Sequence, residues 1–176
     1  TPQGILAVLE FTDLPIPDLP NFILIPAQIR DPGNLGTLLR SAAATGVQAV
    51  LFPPETTEAF APKVLRAGMG AHFRLPIHSM SWEEIKTQPT DLDIFIADMD
   101  GAPCWETDLR KPLALVIGGE AEGVSDEARR LATQKISIPM AGNVESLNAG
   151  VAGSVLMFEI VRQRHSNTKD TKYTKV

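Results

Sequence analysis

Short apolar runs alternate with helix-type patterns along most of the chain, and this alternation limits the possible folds more than any other feature of the sequence. Residues 113–117 form a continuous apolar run, which is typical of a strand buried on both faces of a parallel sheet. Further strands are predicted at residues 2–9, 22–26, 47–52, 93–97 and 136–138. Strands that alternate with helices at this spacing predict an α/β fold with a parallel sheet covered by helices on both faces.

The clearest helix pattern lies between the strands at 22–26 and 47–52. Apolar residues at positions 35, 38, 39, 42 and 43 share one helical face. Asn34 is placed to cap the start of this helix, and Gly46 is placed to end it. Shorter helices are predicted at 61–68, 81–88 and 125–132, and the second of these has the Ser81 and Glu84 pattern of a capping box.

The last predicted helix is long and apolar, and small residues are concentrated in its first turns. Ser146 and Asn148, both favourable N-cap residues, mark its start. Gly150 and Gly153 follow, and glycine inside a helix costs about 1 kcal/mol relative to alanine. We therefore expect another backbone, a ligand or a tightly packed second helix to lie against these glycines.

Composition limits the class of protein. The 176 residues, of which 44% are hydrophobic, suit one domain, which we predict over 1–165 with a flexible polar tail over 166–176. No apolar run approaches the roughly 20 residues that cross a bilayer, so a soluble protein is predicted. Cys104 is the only cysteine, which excludes an internal disulfide bond and fits a reducing compartment such as the cytoplasm. Because a strand-like segment follows directly from Thr1, we expect the chain to be a piece of a longer protein.

Three loops that follow predicted strands carry the candidate functional residues, because ligands of parallel sheets bind beyond the carboxyl ends of the strands. The first loop leads to Arg40, which leaves the apolar face of its helix and suits an anion, an interface or plain solvent exposure. The second contains Gly118, Gly119 and Gly123 but fails as a dinucleotide motif, since Glu120 stands where the second glycine is needed. Its acidic groups suit ribose hydroxyls, a cationic ligand or an exposed turn.

The third loop contains Ser146, and two common chemistries fit it poorly. A serine hydrolase needs a positioned base, and none of the three histidines lies in a recognised triad pattern. Metal catalysis is equally disfavoured, because no group of His, Cys, Asp and Glu has ligand spacing.

Taken together, the three loops resemble a known family. Residues 34–42 (NLGTLLRSA), 116–123 (VIGGEAEG) and 138–148 (IPMAGNVESLN) look like the three ordered motifs of the SpoU (TrmH) branch of the SPOUT RNA 2′-O-methyltransferases. The opening residues TPQGI resemble the junction that follows a small substrate-binding domain in several ribosomal-RNA members. The second glycine of the Gly118-Gly119 pair and Ala149 depart from the family pattern, and we expect both departures to be mild.

The resemblance implies a fold, a cofactor and a set of site residues. It implies a homodimer and a C-terminal deep trefoil knot over residues 118–159, added to the α/β sheet. S-adenosylmethionine is expected to bind to backbone groups near Ala97, Gly118, Gly119, Ile138 and Leu147. The catalytic residues implied are Asn34, Arg40, Glu120, Ser146 and Asn148. The substrate implied is RNA, ribosomal rather than transfer RNA, with no metal and no membrane.

Physical chemistry narrows the role of Arg40. A guanidinium has a pKa far above neutral pH, so neutralising it at pH 7 costs about 9 kcal/mol. Arg40 is therefore better suited to bind a phosphate through two N–H donors than to accept a proton. Ser146 or water is then expected to transfer the proton of the 2′-hydroxyl. A catalytically silent RNA-binding module remains the alternative, and a nucleotide-dependent oxidoreductase is disfavoured by the failed dinucleotide motif.

RNA affinity is expected to be weak and dependent on salt. With a net charge of −5, the chain has no overall field that attracts a polyanion, so a local patch must bind the phosphates. The candidate cations are Arg30, Arg40, Lys63, Arg66 and Arg74.

Overall fold

The computed structural model of the chain describes residues 4, 8, 13–88, 91–119, 123–142 and 146–170. The strands within these residues are β1 (Phe22–Ala27), β2 (Ala49–Phe52), β3 (Ile77–Ser79), β4 (Asp93–Pro103), β5 (Leu113–Gly118) and β6 (Gln134–Ser137). The α-helices are α1 (Pro32–Thr45), α2 (Pro62–Gly68), α3 (Trp82–Thr87), α4 (Asp126–Leu131) and α5 (Ala149–Asp170), and a 3-10 turn covers Ala71–Phe73.

The six strands form one sheet in the order β3-β2-β1-β5-β4-β6, and every neighbouring pair is parallel. β2 and β3 are added outward on one side of β1, and the chain then crosses to the other side of β1. The order therefore reverses between β1 and β5. In open parallel sheets, the crevice for ligands forms at such a point of reversal.

Helices cover both faces of the sheet, as the sequence predicts. One core contains inward residues of α1, α2 and α5, among them Leu38, Val64 and Leu156. The other core contains Ile85 of α3 and Ala128 of α4. Burial of a leucine or isoleucine side chain contributes about 1.5–3 kcal/mol, so the two apolar faces of the sheet stabilise the fold jointly.

The start of α1 differs from the prediction. Asp31, not Asn34, is the N-cap, and its Oδ1 accepts a hydrogen bond of 2.8 Å from the backbone N–H of Asn34. The reason is Pro32, which suits the first helical position and places the start of the helix three residues upstream of the predicted one. Asn34 thus lies inside the first turn. The predicted end is confirmed, because Gly46 adopts the left-handed conformation with φ of 75°.

Several strand boundaries also differ from the prediction. β4 continues to Pro103 through a bulge, in which Ala97 and Ala102 both pair with Ile136. Gly101 makes this possible, since a Cβ there would lie 2.5 Å from the backbone nitrogen of Ile136. β3 was not predicted, because it consists of only three residues. The strand predicted at 2–9 falls outside the described residues apart from Gly4 and Val8.

The glycines of α5 pack against α1, so helix packing accounts for their small size. A Cβ on Gly150 would lie 3.1 Å from Cβ of Thr37, and one on Gly153 would overlap the side chain of Leu38. One turn further along, the hydroxyls of Ser41 and Ser154 hydrogen-bond at 2.7 Å. The close approach lets α5 return to the centre of the sheet. None of the described helices is both long and apolar enough to cross a lipid bilayer.

Candidate functional site

The carboxyl ends of four neighbouring strands form one edge, and most of the residues predicted to bind the cofactor lie on it. Gly118 at the end of β5 pairs with Ala27 at the end of β1. On β4, Ala97 follows Ile96, which pairs with Val116, and Ala97 itself pairs with Ile136 of β6. Neighbouring strands lie about 4.8 Å apart, so Ala97, Gly118 and the region of Ile138 are near neighbours. All three are half-buried.

The glycine turn after β5 is built from backbone packed against backbone. Gly119 and Gly123 exchange two N–H···O=C hydrogen bonds of 3.1 Å. A Cβ on Gly118 would lie 2.5 Å from the carbonyl oxygen of Gly123, and one on Gly119 would overlap the carbonyl oxygen of Gln28. Both positions therefore require glycine. Glu120 lies outside the described residues, so its role stays a prediction.

The loop after β1 is fixed by contacts that sequence reasoning missed. Gln28 and Glu55 both adopt left-handed backbone conformations, with φ of 55° and 69°, which is uncommon for residues other than glycine. Their side chains hydrogen-bond, with Nε2 of Gln28 2.9 Å from Oε2 of Glu55. The backbone N–H of Gln28 also donates to Oγ1 of Thr56 at 3.0 Å. The conformation of Gln28 brings its carbonyl oxygen against Gly119, and no local pattern of residues signals this.

A hydrogen bond between two asparagines joins the start of α1 to the start of α5. Nδ2 of Asn148 donates to Oδ1 of Asn34 at 2.7 Å, across 114 residues of sequence. Oδ1 of Asn148 accepts from the backbone N–H of Val151 at 3.2 Å, so Asn148 also caps α5. Ser146, the other predicted start residue, is exposed and precedes the helix, and Leu147 between them is half-buried. The structure thus brings two predicted catalytic residues into direct contact.

Arg40 lies on the outer surface of α1, six residues after Asn34 and therefore about 9 Å further along the helix axis. It follows Gly36 by four residues, so the two lie on the same side of α1. Gly36 packs against Ala67 and Gly68 of α2. Arg40 is exposed and makes no ion pair with the described residues, which leaves its guanidinium available to an anion.

An ion-pair cluster connects the segment after the glycine turn to the bulge of β4, and sequence reasoning did not identify it. Oδ2 of Asp98 lies 3.1 Å from Arg129 and 2.9 Å from Lys135. Nε of Arg129 also donates to the carbonyl oxygen of Val124 at 3.1 Å. Chiefly through the hydrogen bond from Lys135, the cluster holds the pKa of Asp98 below its ordinary value of 3.8. Arg129 therefore holds the segment after the glycine turn against the bulge of β4.

The three histidines are occupied elsewhere. The ring nitrogens of His72, His78 and His165 each donate to a main-chain carbonyl oxygen, at 2.8, 2.8 and 2.9 Å.

Comparison with known sequences agrees with the geometry. The sequence model of the SpoU rRNA Methylase family matches residues 21–158. The human protein named mitochondrial rRNA methyltransferase 3 is 34% identical over 97% of this chain and 55% of its own length. The 23S rRNA (guanosine-2′-O-)-methyltransferase RlmB of Xylella fastidiosa is 39% identical over 81% of this chain and 59% of its own length. The chain thus spans little more than half the length of these relatives.

Solved structures share the fold. The SpoU methyltransferase AviRb from Streptomyces viridochromogenes, crystallised with the cofactor AdoMet, superposes with a TM-score of 0.77 at 31% identity. The alignment covers 86% of this chain and 64% of AviRb. The TrmH/SpoU tRNA modifying enzyme of A. aeolicus superposes with a TM-score of 0.71 at 27% identity, covering 84% of this chain and 77% of that enzyme.

Replacement of Asn148 tests the link between α1 and α5. Asn148→Ala removes both the helix cap and the bond to Asn34, so we expect the free energy of unfolding to fall by about 1–2 kcal/mol in urea titrations. Asn148→Ser keeps a capping oxygen and should lose less, and Asn34→Ala removes the bond between the asparagines but keeps the cap of α5. Equal stability of Asn148→Ala and the unmodified chain would contradict the assignment.

Replacement of Asp98 tests the ion-pair cluster through its dependence on pH. Because the folded state lowers the pKa of Asp98, its ionised form stabilises the fold above the ordinary value of 3.8, and this contribution is lost as pH falls through the lowered pKa. Asp98→Asn should therefore destabilise the chain by about 1 kcal/mol at pH 7, and the difference should vanish in strong acid. Asp100→Asn, in the exposed part of the same bulge, is the control, and a difference independent of pH would refute the mechanism.

Proposed function

The chain belongs to the SpoU rRNA methylase family, and from this premise we propose that it transfers a methyl group from S-adenosylmethionine to a ribose 2′-hydroxyl of RNA. The observation that carries the proposal is the contact between Asn34 and Asn148, because it joins the first and third motifs beside the glycine turn of the second. Ribosomal RNA is the proposed substrate, since relatives of this chain are named rRNA methyltransferases.

The proposed cofactor site is the edge formed by the ends of β4, β5 and β6. Ala97, Gly118, Gly119, Ile138 and Leu147 are small or aliphatic and half-buried, which suits the flat adenosine part of S-adenosylmethionine. The bound group supplies an activated methyl on a positive sulfur. AviRb, of similar fold, was crystallised with AdoMet, which supports the same choice for this chain.

The side chains around this edge would position the RNA rather than react covalently. Arg40 is exposed and unpaired within the described residues, so it can hold a substrate phosphate through two N–H donors and stabilise negative charge as it develops on the ribose oxygen. Ser146 is exposed next to Leu147 and can accept or relay the proton of the 2′-hydroxyl. Asn34 and Asn148 keep the two helix starts together, and Glu120 is proposed to contact the ribose hydroxyls. Correct placement of the oxygen near the methyl group would supply most of the acceleration.

We propose that residues 118–159 form a deep trefoil knot. β6 is two strands away from β5 in the sheet order, yet α5 packs on α1 and brings Gly153 within reach of Ile117 on β5. The chain after β6 must therefore return across the carboxyl edge of the sheet. A crystal structure that traces residues 119–149 would test whether this return passes through a loop or merely over it.

A homodimer is the proposed assembly. Val151 and Phe158 on the outer face of α5 are 47% and 53% exposed, and the half-buried Val155 lies between them at helical spacing. The opposite face of α5 is already packed on α1. A second copy of the chain would cover this apolar stripe. Sedimentation equilibrium tests the assembly, because Phe158→Asp should halve the mass of a dimer.

The proposed compartment is the cytoplasm. Cys104 is fully buried, and burial raises the pKa of its thiol to about 11, so the thiol is neutral and inert at physiological pH. A reducing compartment suits such a residue, although the relatives also include mitochondrial proteins. Fractionation of the source cells with an antibody would decide between the cytoplasm and an organelle.

Two assays test the proposed activity. Calorimetry of the 176-residue chain should show binding of S-adenosylhomocysteine and no binding of NAD or ATP. Transfer of labelled methyl groups from S-adenosylmethionine should then produce 2′-O-methylated nucleosides in transcribed ribosomal RNA and fewer in transfer RNA. Cofactor binding without transfer to any RNA would favour a catalytically silent RNA-binding module, and absence of cofactor binding would refute the proposal.

Arg40→Lys tests the role of the guanidinium. Lysine keeps the charge but loses the two-pronged geometry, so we expect kcat/KM to fall by about 10- to 100-fold with unchanged affinity for S-adenosylhomocysteine. Lys86→Gln on α3 is the control, because α3 lies on the other face of the sheet. Near-normal turnover of Arg40→Lys with unchanged RNA affinity would exclude the bidentate clamp.

A further inference from the structure

A surface next to α1 combines exposed apolar side chains with unneutralised cations. We name it the α2 corner and define it by Lys63, Leu65, Arg66, Met69, Phe73 and Arg74, all of them exposed. Met69 and Phe73 are 71% and 72% exposed, which is unusual for large apolar side chains outside an interface. The cofactor edge and the α5 stripe do not include these residues, so the proposed reaction does not by itself account for them.

The charge of the α2 corner is opposite to that of the whole chain. Residues 59–82 contain three lysines and arginines and no aspartate or glutamate, whereas the chain has a net charge of −5. Within the described residues, no ion pair neutralises Lys63, Arg66 or Arg74. An uncompensated local group of cations is the electrostatic signature of a surface that receives a polyanion.

Buried neighbours anchor the backbone of the α2 corner at Phe73. Its neighbours Ala71 and His72 are buried, at 4% and 8% exposure. Nε2 of His72 donates to the carbonyl oxygen of Ala59 at 2.8 Å, and its ring lies 5.4 Å from that of Phe60. Because this backbone is already anchored, stacking of a flat partner on the ring of Phe73 would order little further chain.

The α2 corner also lies on the same side of α1 as Arg40. Gly36 packs directly against Ala67 and Gly68 of α2, and Arg40 follows Gly36 by one helical turn. A nucleotide whose phosphate is held by Arg40 would therefore have its neighbours along the strand close to α2.

We propose that the α2 corner is a platform on which unpaired bases of the substrate RNA stack next to the methylated nucleotide, with Phe73 and Met69 contacting bases and Lys63, Arg66 and Arg74 contacting phosphates. The inference rests on the proposed function, because it takes RNA as the substrate. Aromatic side chains among cations are typical of surfaces that bind single strands, whereas paired bases present no free face for stacking. A two-fold interface between two copies of the chain would place these cations against one another, which argues against a second copy as the occupant.

Phe73→Ser tests the stacking contact. Loss of one base-aromatic stack costs about 1–3 kcal/mol, so fluorescence anisotropy should show at least fivefold weaker binding of a labelled single-stranded RNA, with an unchanged dependence on salt. Duplex RNA of the same sequence should bind equally well to both proteins. Trp105→Ser is the matched control, because Trp105 is a 48% exposed aromatic residue beyond the end of β4, near the opposite edge of the sheet.

The double variant Lys63→Gln, Arg74→Gln tests the phosphate contacts. Each lost contact to single-stranded RNA should reduce the slope of log affinity against log salt by about 0.7, whereas Lys86→Gln on the other face should leave the slope unchanged. This readout separates charge from stacking, since Phe73→Ser changes affinity and the double variant changes the slope.

The outcomes separate this inference from the proposed function. If the chain binds S-adenosylhomocysteine and RNA but neither set of variants changes RNA binding, the platform is wrong and the proposed function stands. If Phe73→Ser changes the mass in sedimentation equilibrium and leaves RNA affinity unchanged, the corner is a protein interface and the inference is overturned. If the unmodified chain binds neither cofactor nor RNA, both the proposed function and the platform are wrong.

Discussion

The parallel pairing of β1 with β5 is the constraint on which the rest of the structure depends. It joins residues that are about 90 positions apart and buries both strands completely on both faces, apart from the last residue of β5. Because α1 leaves β1 toward one face and α4 follows β5 toward the other, a crevice opens at their carboxyl ends. The glycine turn, the loop of Gln28 and the start of α1 all meet there.

Close contacts between backbones set the shape of this crevice. Gly119 accommodates the carbonyl oxygen of Gln28, while Gly36 and Gly153 let α2 and α5 approach α1. Larger residues at these positions would push the helices outward and separate Asn34 from Asn148, whose hydrogen bond closes the site across 114 residues. The small residues therefore act on the geometry of the site although they contribute no reactive group. The ion pair between Arg129 and Asp98 also supports the geometry of the site without contributing a reactive group.

Much of the fold follows from local patterns. The strand at 113–117, the helix ended by Gly46 and the capping box of Ser81 and Glu84 were all predicted, because each depends on residues close in sequence. The errors share one cause, which is competition from other interactions. Pro32 makes Asp31 a better cap than Asn34, and β4 runs past its predicted end because Gly101 admits Ile136 of another strand. The expectation that Asn34 and Asn148 belong to one site rested on the family resemblance.

By itself, the sequence determined the α/β class, the parallel sheet with helices on both faces and the three loops that carry the candidate residues. These follow from periodicity, turn residues and helix caps, which act over a few residues. Only the tertiary structure decided that Gln28 adopts a left-handed conformation against Gly119, that Arg129 links the segment after the glycine turn to β4 and that Phe73 is exposed. Such features arise when elements distant in sequence pack together, because their energies depend on contacts that no local pattern encodes.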